Sequence, residues 1–293
     1  MPTVLISGAT SGIGLETALA LARAGNRVVL GARDQAKADR VSRRIRDLVE
    51  GADISSLIFD LEDLESVANA TSSYQSSGRG LDTLINNAGV MALPARLETR
   101  DGFEMQLGVN HIGHFALTVG LSEVLERSAQ PRVVTVSSFM HRFGRINFAD
   151  LNSETGYSPW AAYSQSKLAN LLFAFELGRR FGAAGSKVVS VAAHPGYSAT
   201  NLVASGPMMG SRFSSAFSAL QRVVAQSAAG GAAPVVMAAT ASTASGTYFG
   251  PGGPGQFRGR PVIVRAAPRA YDLDVAKRLI AATENMAGLA LPH

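Results

Sequence analysis

The chain contains no cysteine. That excludes a disulfide framework, a thiolate zinc or iron–sulfur site and a cysteine nucleophile, and it leaves the redox compartment open. Lysine is nearly as scarce: Lys37, Lys167, Lys187 and Lys277 are the only ones among 27 basic residues. Long apolar runs are missing too. The most apolar stretches, 168–177 and 228–241, are short or broken by polar residues and glycine, and neither reaches the roughly 18 residues that a membrane span needs. Met1 leads directly into a strand-like stretch, with no basic leader and no extended apolar segment behind it. The expectation is a soluble, cytoplasmic protein without a membrane partner and without a metal.

What is present suits a folded domain. The 293 residues are 46% hydrophobic and 17% charged, enough to bury a sizeable core. The formal charge of +5 raises the question of an anionic macromolecule. The arginines are scattered, however, and the densest group, Arg40, Arg43, Arg44 and Arg46, is spaced like the solvated face of one helix. No nucleic-acid surface is expected, because such a surface needs converging cations with base-reading or stacking groups.

Short β-branched runs at Thr3–Ile6, Arg27–Leu30, Ser56–Phe59, Thr83–Ile85, Arg132–Val136 and Lys187–Ala192 alternate with helical patterns such as Ile13 to Ala24, Gln35 to Leu48 and Leu61 to Ala70. Strands that are continuously apolar are buried on both faces, which implies a parallel sheet covered by helices on each side. The alternation predicts one doubly wound α/β domain over residues 1–293. Two segments break the rhythm, 142–159 and 201–229. Both leave the carboxyl ends of strands, where ligands bind in open α/β sheets, and both are expected as a small substrate-binding insertion or lid. Gly250 to Pro261 reads as a turn-dense connection and Asp272 to Met286 as a closing helix.

Three local features carry chemistry. The first strand ends in Ser7-Gly8-Ala9-Thr10-Ser11-Gly12-Ile13-Gly14, where glycines permit a tight turn and close backbone approach to a pyrophosphate at a helix N-terminus. The second strand ends in Gly31-Ala32-Arg33-Asp34. An acid there suits a free ribose 2′-hydroxyl and an arginine suits a 2′-phosphate, so Arg33, with Lys37 one turn on, favours NADP(H) over NAD(H). Alternatively, Arg33 points into solvent and Asp34 caps the next helix. In Tyr163-Ser164-Gln165-Ser166-Lys167 the phenol and the ammonium share one helix face, and the cation is expected to lower the tyrosine pKa. Ser138, closing the fifth strand, could donate a hydrogen bond to a substrate oxygen.

Together these residues resemble the short-chain dehydrogenase/reductase family. Its landmarks appear in order: the glycine-rich loop, Asp60, Asn86-Asn87-Ala88-Gly89, Asn110, Ser138, Tyr163 with Lys167, and Pro195-Gly196 with Thr200. Closer likeness is to the retinol-dehydrogenase-like and protochlorophyllide-reductase-like branch, carried by Gly31-Ala32-Arg33, Asn110 to Phe115, Ala162 to Asn170, His194-Pro195-Gly196 and Tyr248 to Pro251. The resemblance implies a Rossmann fold and a catalytic set of Asn110, Ser138, Tyr163 and Lys167. Tyr163 would exchange a proton with the substrate oxygen, Ser138 would hold that oxygen, Lys167 would tune Tyr163 and bind the nicotinamide ribose, and Asn110 would hold a relay water. The cofactor would meet Ser7, Gly8, Thr10, Ser11, Gly12, Ile13 and Gly14 at its phosphates. Asp60 and Leu61 would border its adenine and Asn87 its adenosine ribose, and Ala88 and Gly89 would also belong to the cofactor site. Thr200 and the backbone near Ser198 would contact its nicotinamide end, and Pro195 and Gly196 would also belong to the cofactor site.

The expected substrate wall is Met91, Phe139, Met140, His141, Trp160, Tyr197 and residues of the Met208–Phe217 segment, mostly apolar or aromatic. It suits a hydrophobic small molecule, such as a polyketide or terpenoid ketone, better than a sugar. His111, His114 and His194 are assigned no chemistry. Competing readings are the same fold turned to non-redox cyclisation or elimination, and a nucleotide-sensing protein without turnover. A homodimer or homotetramer is the assembly expected.

Overall fold

The computed structural model describes residues 1–196 and 227–291. Eight strands form one sheet in the order β3-β2-β1-β4-β5-β6-β7-β8. They are β1 (Thr3–Ser7), β2 (Arg27–Ala32), β3 (Ile54–Ile58), β4 (Thr83–Asn86), β5 (Arg132–Val136), β6 (Val189–Ala193), β7 (Tyr248–Pro251) and β8 (Pro261–Ile263). All neighbours are parallel except the final pair, in which Gly250 of β7 stands opposite Val262 of β8. The order reverses between β1 and β4, which opens a crevice at the carboxyl ends of these strands.

Alternation of side chains across the sheet builds the core on both faces. Leu5, Leu84 and Val133 point to one side, where they meet Val67, Phe115, Leu121 and Phe173. Val4, Ile6, Ile85 and Val134 point to the other, against Ala18, Leu21, Val41 and Val235. The first face carries α3 (Leu64–Ser76), α5 (Gly113–Glu126) and α6 (Pro159–Ala183); the second carries α1 (Gly12–Arg23), α2 (Gln35–Leu48) and α7 (Ala228–Thr240). A third cluster joins α6 to α8 (Leu273–Ala287) through Leu171, Leu172, Ala276 and Leu279. Each fully buried aliphatic side chain contributes roughly 1.5–3 kcal/mol, so no single strand determines the fold.

Helix starts follow their caps. Asp34 accepts the Lys37 N–H at 2.9 Å to open α2, Asp63 accepts the Ser66 N–H at 3.1 Å to open α3, and Asp272 opens α8. The last of these helices ends at Gly288 in the left-handed region, φ 64°. Before α5 the backbone passes through a short α4 (Met105–Leu107) and a π-helical turn, Gly108–Ile112. The buried Glu104 carboxylate starts this run by accepting the N–H groups of Gln106 and Leu107.

The expected doubly wound parallel sheet is present, and the helix expected over Gln35 to Leu48 spans those residues. Strands β7 and β8 are additions, since the 250–261 stretch was expected as connection only. Four residues with Gly and Pro, and three beginning with Pro, are too short to show a strand period. The edge strand β3 starts two residues earlier than expected. Only its first residue is buried, so apolar content marked it weakly. The 142–159 insertion is irregular but pinned: Tyr157 donates to the Leu93 carbonyl at 2.8 Å and Arg96 to the Asn152 carbonyl at 3.0 Å. Of the 201–229 segment, only residues from Ser227 on belong to the described residues.

Candidate active site

The carboxyl ends of the parallel strands border a cleft of about 490 Å³. One end is the glycine-rich loop. Gly8 and Gly12 have φ of 66° and 54°, a region that side-chain-bearing residues avoid. A Cβ on Gly14 would stand 2.3 Å from the Gly8 carbonyl oxygen, so the loop can fold back onto α1 only with glycine there. α1 has no side-chain cap, unlike α2, α3 and α8, and no acidic residue stands in its first turn. Its leading N–H groups belong to Gly12, Ile13 and Gly14, which line the cleft beside Gly8, Thr10 and Ser11. An open helix N-terminus without competing carboxylates is suited to a phosphate.

Ser7 does something else. Its hydroxyl is wholly buried, accepts the N–H groups of Asn87 and Ala88 at 2.8 and 3.0 Å, and lies 2.8 Å from His114 Nε2. The expectation that Ser7 binds cofactor directly is therefore corrected: it ties the end of β1 to the Asn87–Gly89 loop. Asn87 donates its side-chain amide to the Ser7 carbonyl at 2.9 Å, and it lines the cleft together with Ala88 and Gly89.

At the far end of the cleft lie Arg33, Lys37, Asp60, Leu61 and Glu62. Asp34 is spent as a helix cap. Arg33 keeps 70% of its side chain exposed while pairing with Glu62 at 3.2 Å. Such a surface pair is worth at most about 1 kcal/mol, so the guanidinium is available to a stronger anion. A Cβ on Gly31 would meet the Ile6 carbonyl oxygen at 2.8 Å and the Phe59 ring at 2.9 Å, which explains the glycine at this position.

The chemical end is built on α6. Tyr163 and Lys167 stand one turn apart, both buried, and both line the cleft. Lys167 Nζ lies 5.8 Å from the centre of the Tyr163 ring and 3.5 Å from the Val136 carbonyl oxygen. Burial lowers the ammonium to about 8. Burial also holds the Tyr163 phenol above its ordinary value, with the Ser138 hydrogen bond opposing. Lys167 is expected to lower Tyr163, but in the unliganded chain desolvation sets the direction and Ser138 is the group that opposes it.

Ser138 ends the turn after β5. Its hydroxyl accepts the Met140 N–H at 3.2 Å, and it is near enough to the Tyr163 phenol to oppose the upward shift that burial causes. Ser137 is buried and donates to the Lys167 carbonyl at 2.7 Å, which leaves Ser138 as the serine beside the phenol. Asn110 sits in the π-helical turn. Its amide donates to the Val90 carbonyl and to Ser166 Oγ, both at 2.9 Å, and its side-chain oxygen accepts the Val90 N–H at 2.8 Å. A Cβ on Gly89 would stand 2.9 Å from that oxygen and 3.3 Å from Lys167 Nζ, so glycine preserves the space between them.

Of the expected substrate wall, Met91 lines the cleft. Trp160 is 43% exposed and stands edge-on to Tyr163 at 6.3 Å, while Phe139 packs on Phe257 at 5.0 Å. Met140 is half-buried beside Ser138. His141 is corrected: its ring is fully buried with both nitrogens hydrogen-bonded, so it offers no surface to a substrate. Pro195 lines the cleft, and a Cβ on Gly196 would meet the Phe257 carbonyl oxygen at 2.4 Å. Tyr197, Ser198 and Thr200 lie outside the described residues. His111, His114 and His194 are buried, and desolvation lowers them to about 4, 3 and 3.

Sequence reasoning missed Glu62, Val90, Leu93 and Val109, which line the cleft, and Phe257, which packs on Phe139. Glu62 carries no motif and becomes significant only through Arg33. Phe257, an aromatic inside a glycine-rich connection, was the one with a usable signal, because exposed aromatics on loops often serve binding.

The profile of the family described as short chain dehydrogenase matches residues 2–208. Human retinol dehydrogenase 13 is 40% identical over 295 residues, covering 99% of this chain and 86% of that protein. Mouse retinol dehydrogenase 14 is 45% identical over 210 residues, 68% of this chain and 62% of its own length. Among solved structures, an uncharacterised protein from Mycobacterium paratuberculosis is 41% identical with a TM-score of 0.82, covering 100% of this chain and 96% of its own. An actinorhodin polyketide ketoreductase solved with NADPH shares the fold, with a TM-score of 0.64 at 24% identity over 82% of this chain and 90% of its own.

Proposed function

Because the chain belongs to the short chain dehydrogenase family, in its retinol-dehydrogenase-like branch, we propose that it is an NADP(H)-dependent oxidoreductase acting on the carbonyl or secondary alcohol of a hydrophobic small molecule. One observation carries the reading. Tyr163 and Lys167, with Ser138 beside the phenol, stand at one end of a cleft whose other end is the uncapped N-terminus of α1. The glycines of the loop, the free N–H groups of α1 and the cleft volume all fit a dinucleotide.

When bound, the nicotinamide supplies or accepts the hydride. The chain supplies the rest. Tyr163 Oη gives a proton to the substrate oxygen in reduction and takes one in oxidation, and Ser138 Oγ holds that oxygen. A charged Lys167 favours the phenolate, so it moves the Tyr163 equilibrium toward the working range once a ligand orders the site. Arg33 would hold the 2′-phosphate in place of Glu62, with Lys37 beside it. Asp34 does not compete, since the Lys37 N–H engages its carboxylate. Met91, Phe139, Trp160 and Phe257 favour an apolar, extended substrate, such as a terpenoid or polyketide carbonyl.

The test is cofactor consumption with NADPH and NADH against a panel of hydrophobic ketones and aldehydes. Oxidation of NADPH matched by alcohol formed is the expected result. A product of unchanged oxidation state without NADPH loss would select non-redox chemistry, and a preference for NADH would overturn the role of Arg33.

A further inference from the structure

His141 lies directly behind Ser138, and the chemistry described above makes no use of it. Its ring is excluded from solvent, and its two nitrogens reach different parts of the chain. Nε2 accepts the main-chain N–H of Ala267 at 3.1 Å, which places the proton of the neutral ring on Nδ1. Nδ1 then donates to the Ser138 carbonyl at 2.7 Å, and the same carbonyl accepts the His141 main-chain N–H at 3.1 Å. Tyr248 of β7 stands edge-on to the ring at 5.7 Å and sets its plane. A second tie runs parallel to the first: Arg269 donates to the Gly144 carbonyl at 2.6 Å. Burial lowers the imidazole to about 4, so near neutral pH the Nε2 lone pair stays available to Ala267.

The geometry points to His141 as the positioning residue for Ser138: its ring clamps the serine's peptide to the segment before α8 and so aims the hydroxyl at Tyr163. This rests on the role given to Ser138 above. The serine needs such help. It sits in extended backbone (φ −147°, ψ 158°) just past the end of β5, where the ladder no longer holds it. The Met140 N–H that its hydroxyl accepts is 3.2 Å away, and that contact alone does not fix the peptide plane. Misplacement of a reacting group by about 1 Å can cost a hundredfold in rate, so holding this one carbonyl controls turnover rather than binding.

Two substitutions separate the two bonds. Asparagine places its amide nitrogen where Nδ1 was, so His141→Asn keeps the donor to Ser138 and loses the acceptor for Ala267. Glutamine reaches the Nε2 position, so His141→Gln keeps the Ala267 bond and loses the Ser138 bond. Both give up one hydrogen bond of a buried ring, which matches their general effect on folding. Kinetics are measured with NADPH and any ketone of the panel that turns over, on protein shown by circular dichroism to be folded. The expected result is a kcat at least about tenfold lower in His141→Gln, the KM for NADPH unchanged, and His141→Asn within about threefold of wild type. In a Ser138→Ala background, adding His141→Gln should change kcat by less than about twofold, because the group being positioned is gone.

Equal losses in the two variants, or a loss that adds fully to Ser138→Ala, would show a purely structural histidine. Should the wild type oxidise no NADPH with any ketone, the functional reading has failed, and crystal structures of the two variants decide the clamp alone. A Ser138 hydroxyl displaced from Tyr163 in His141→Gln but not in His141→Asn supports it, and an unmoved hydroxyl overturns it.

Discussion

Four buried histidines make this protein sensitive to mild acid. His111, His114, His141 and His194 are lowered by desolvation to about 4, 3, 4 and 3, against an ordinary value of 6.5. A folded-state pKa below the unfolded one means that the unfolded chain binds more protons. The stability these groups contribute is therefore present above pH 6.5 and lost as pH falls toward 4. Between pH 7 and 5 each histidine removes roughly 2 kcal/mol by this linkage, and the four together on the order of 7–8 kcal/mol. That is comparable to the whole stability of an ordinary domain, about 5–15 kcal/mol. One group opposes the trend. The buried Glu104 carboxyl is raised by desolvation, so its penalty is relieved on protonation, but a single carboxyl cannot offset four imidazoles. Urea unfolding followed by Trp160 fluorescence at pH 7, 6, 5.5 and 5 should show a midpoint that falls steeply. Calorimetry at pH 5.5 in buffers of different ionisation enthalpy should find about 3.5 protons taken up per chain on unfolding. A midpoint constant from pH 7 to 5, or an uptake below about one proton, would refute the reasoning.

Other perturbations test the site. Tyr163→Phe should lower kcat at least about a hundredfold, as loss of a general acid does, while NADPH titration by fluorescence finds unchanged affinity. Arg33→Ala should weaken NADPH about 10- to 100-fold and leave NADH unaffected, since it removes one charge-assisted contact to the 2′-phosphate. Glu62→Gln should act in the opposite direction, tightening NADPH a few-fold, because Arg33 then has no competing partner. Lys167→Met should abolish turnover yet stabilise the unliganded protein in urea melts by about 3 kcal/mol at pH 7. Burial lowers Lys167 from 10.5 to about 8, so its charge costs stability below pH 8, and the cost disappears as pH rises toward 10.5. A midpoint at or below that of the wild type would contradict the burial cost.

How much of the site was legible depended on how far apart in the chain its partners lie. The glycine-rich loop could be read because its geometry is local: a Cβ on Gly14 would collide with the Gly8 carbonyl, six residues back. Tyr163 and Lys167 could be paired because four residues on a helix share a face. Ser7 was misread because its hydroxyl is committed to N–H groups 80 and 81 residues away, which no local pattern announces. His141 was misread for the same reason, its partner Ala267 being 126 residues on; as an aromatic beside Ser138 it looked like pocket lining. Glu62, 29 residues from Arg33, escaped entirely. The strands followed the same rule in another form: β1 and β5 carry enough apolar residues to stand out, whereas β7 and β8 are defined mainly by the neighbours they pair with. In this chain the groups that would touch cofactor or substrate sit in short motifs, and the groups that aim them come from distant segments. Substitutions at Ser7 or His141 should accordingly change the geometry of a motif residue rather than remove a contact, and double substitutions with Asn87 or Ser138 should be strongly non-additive.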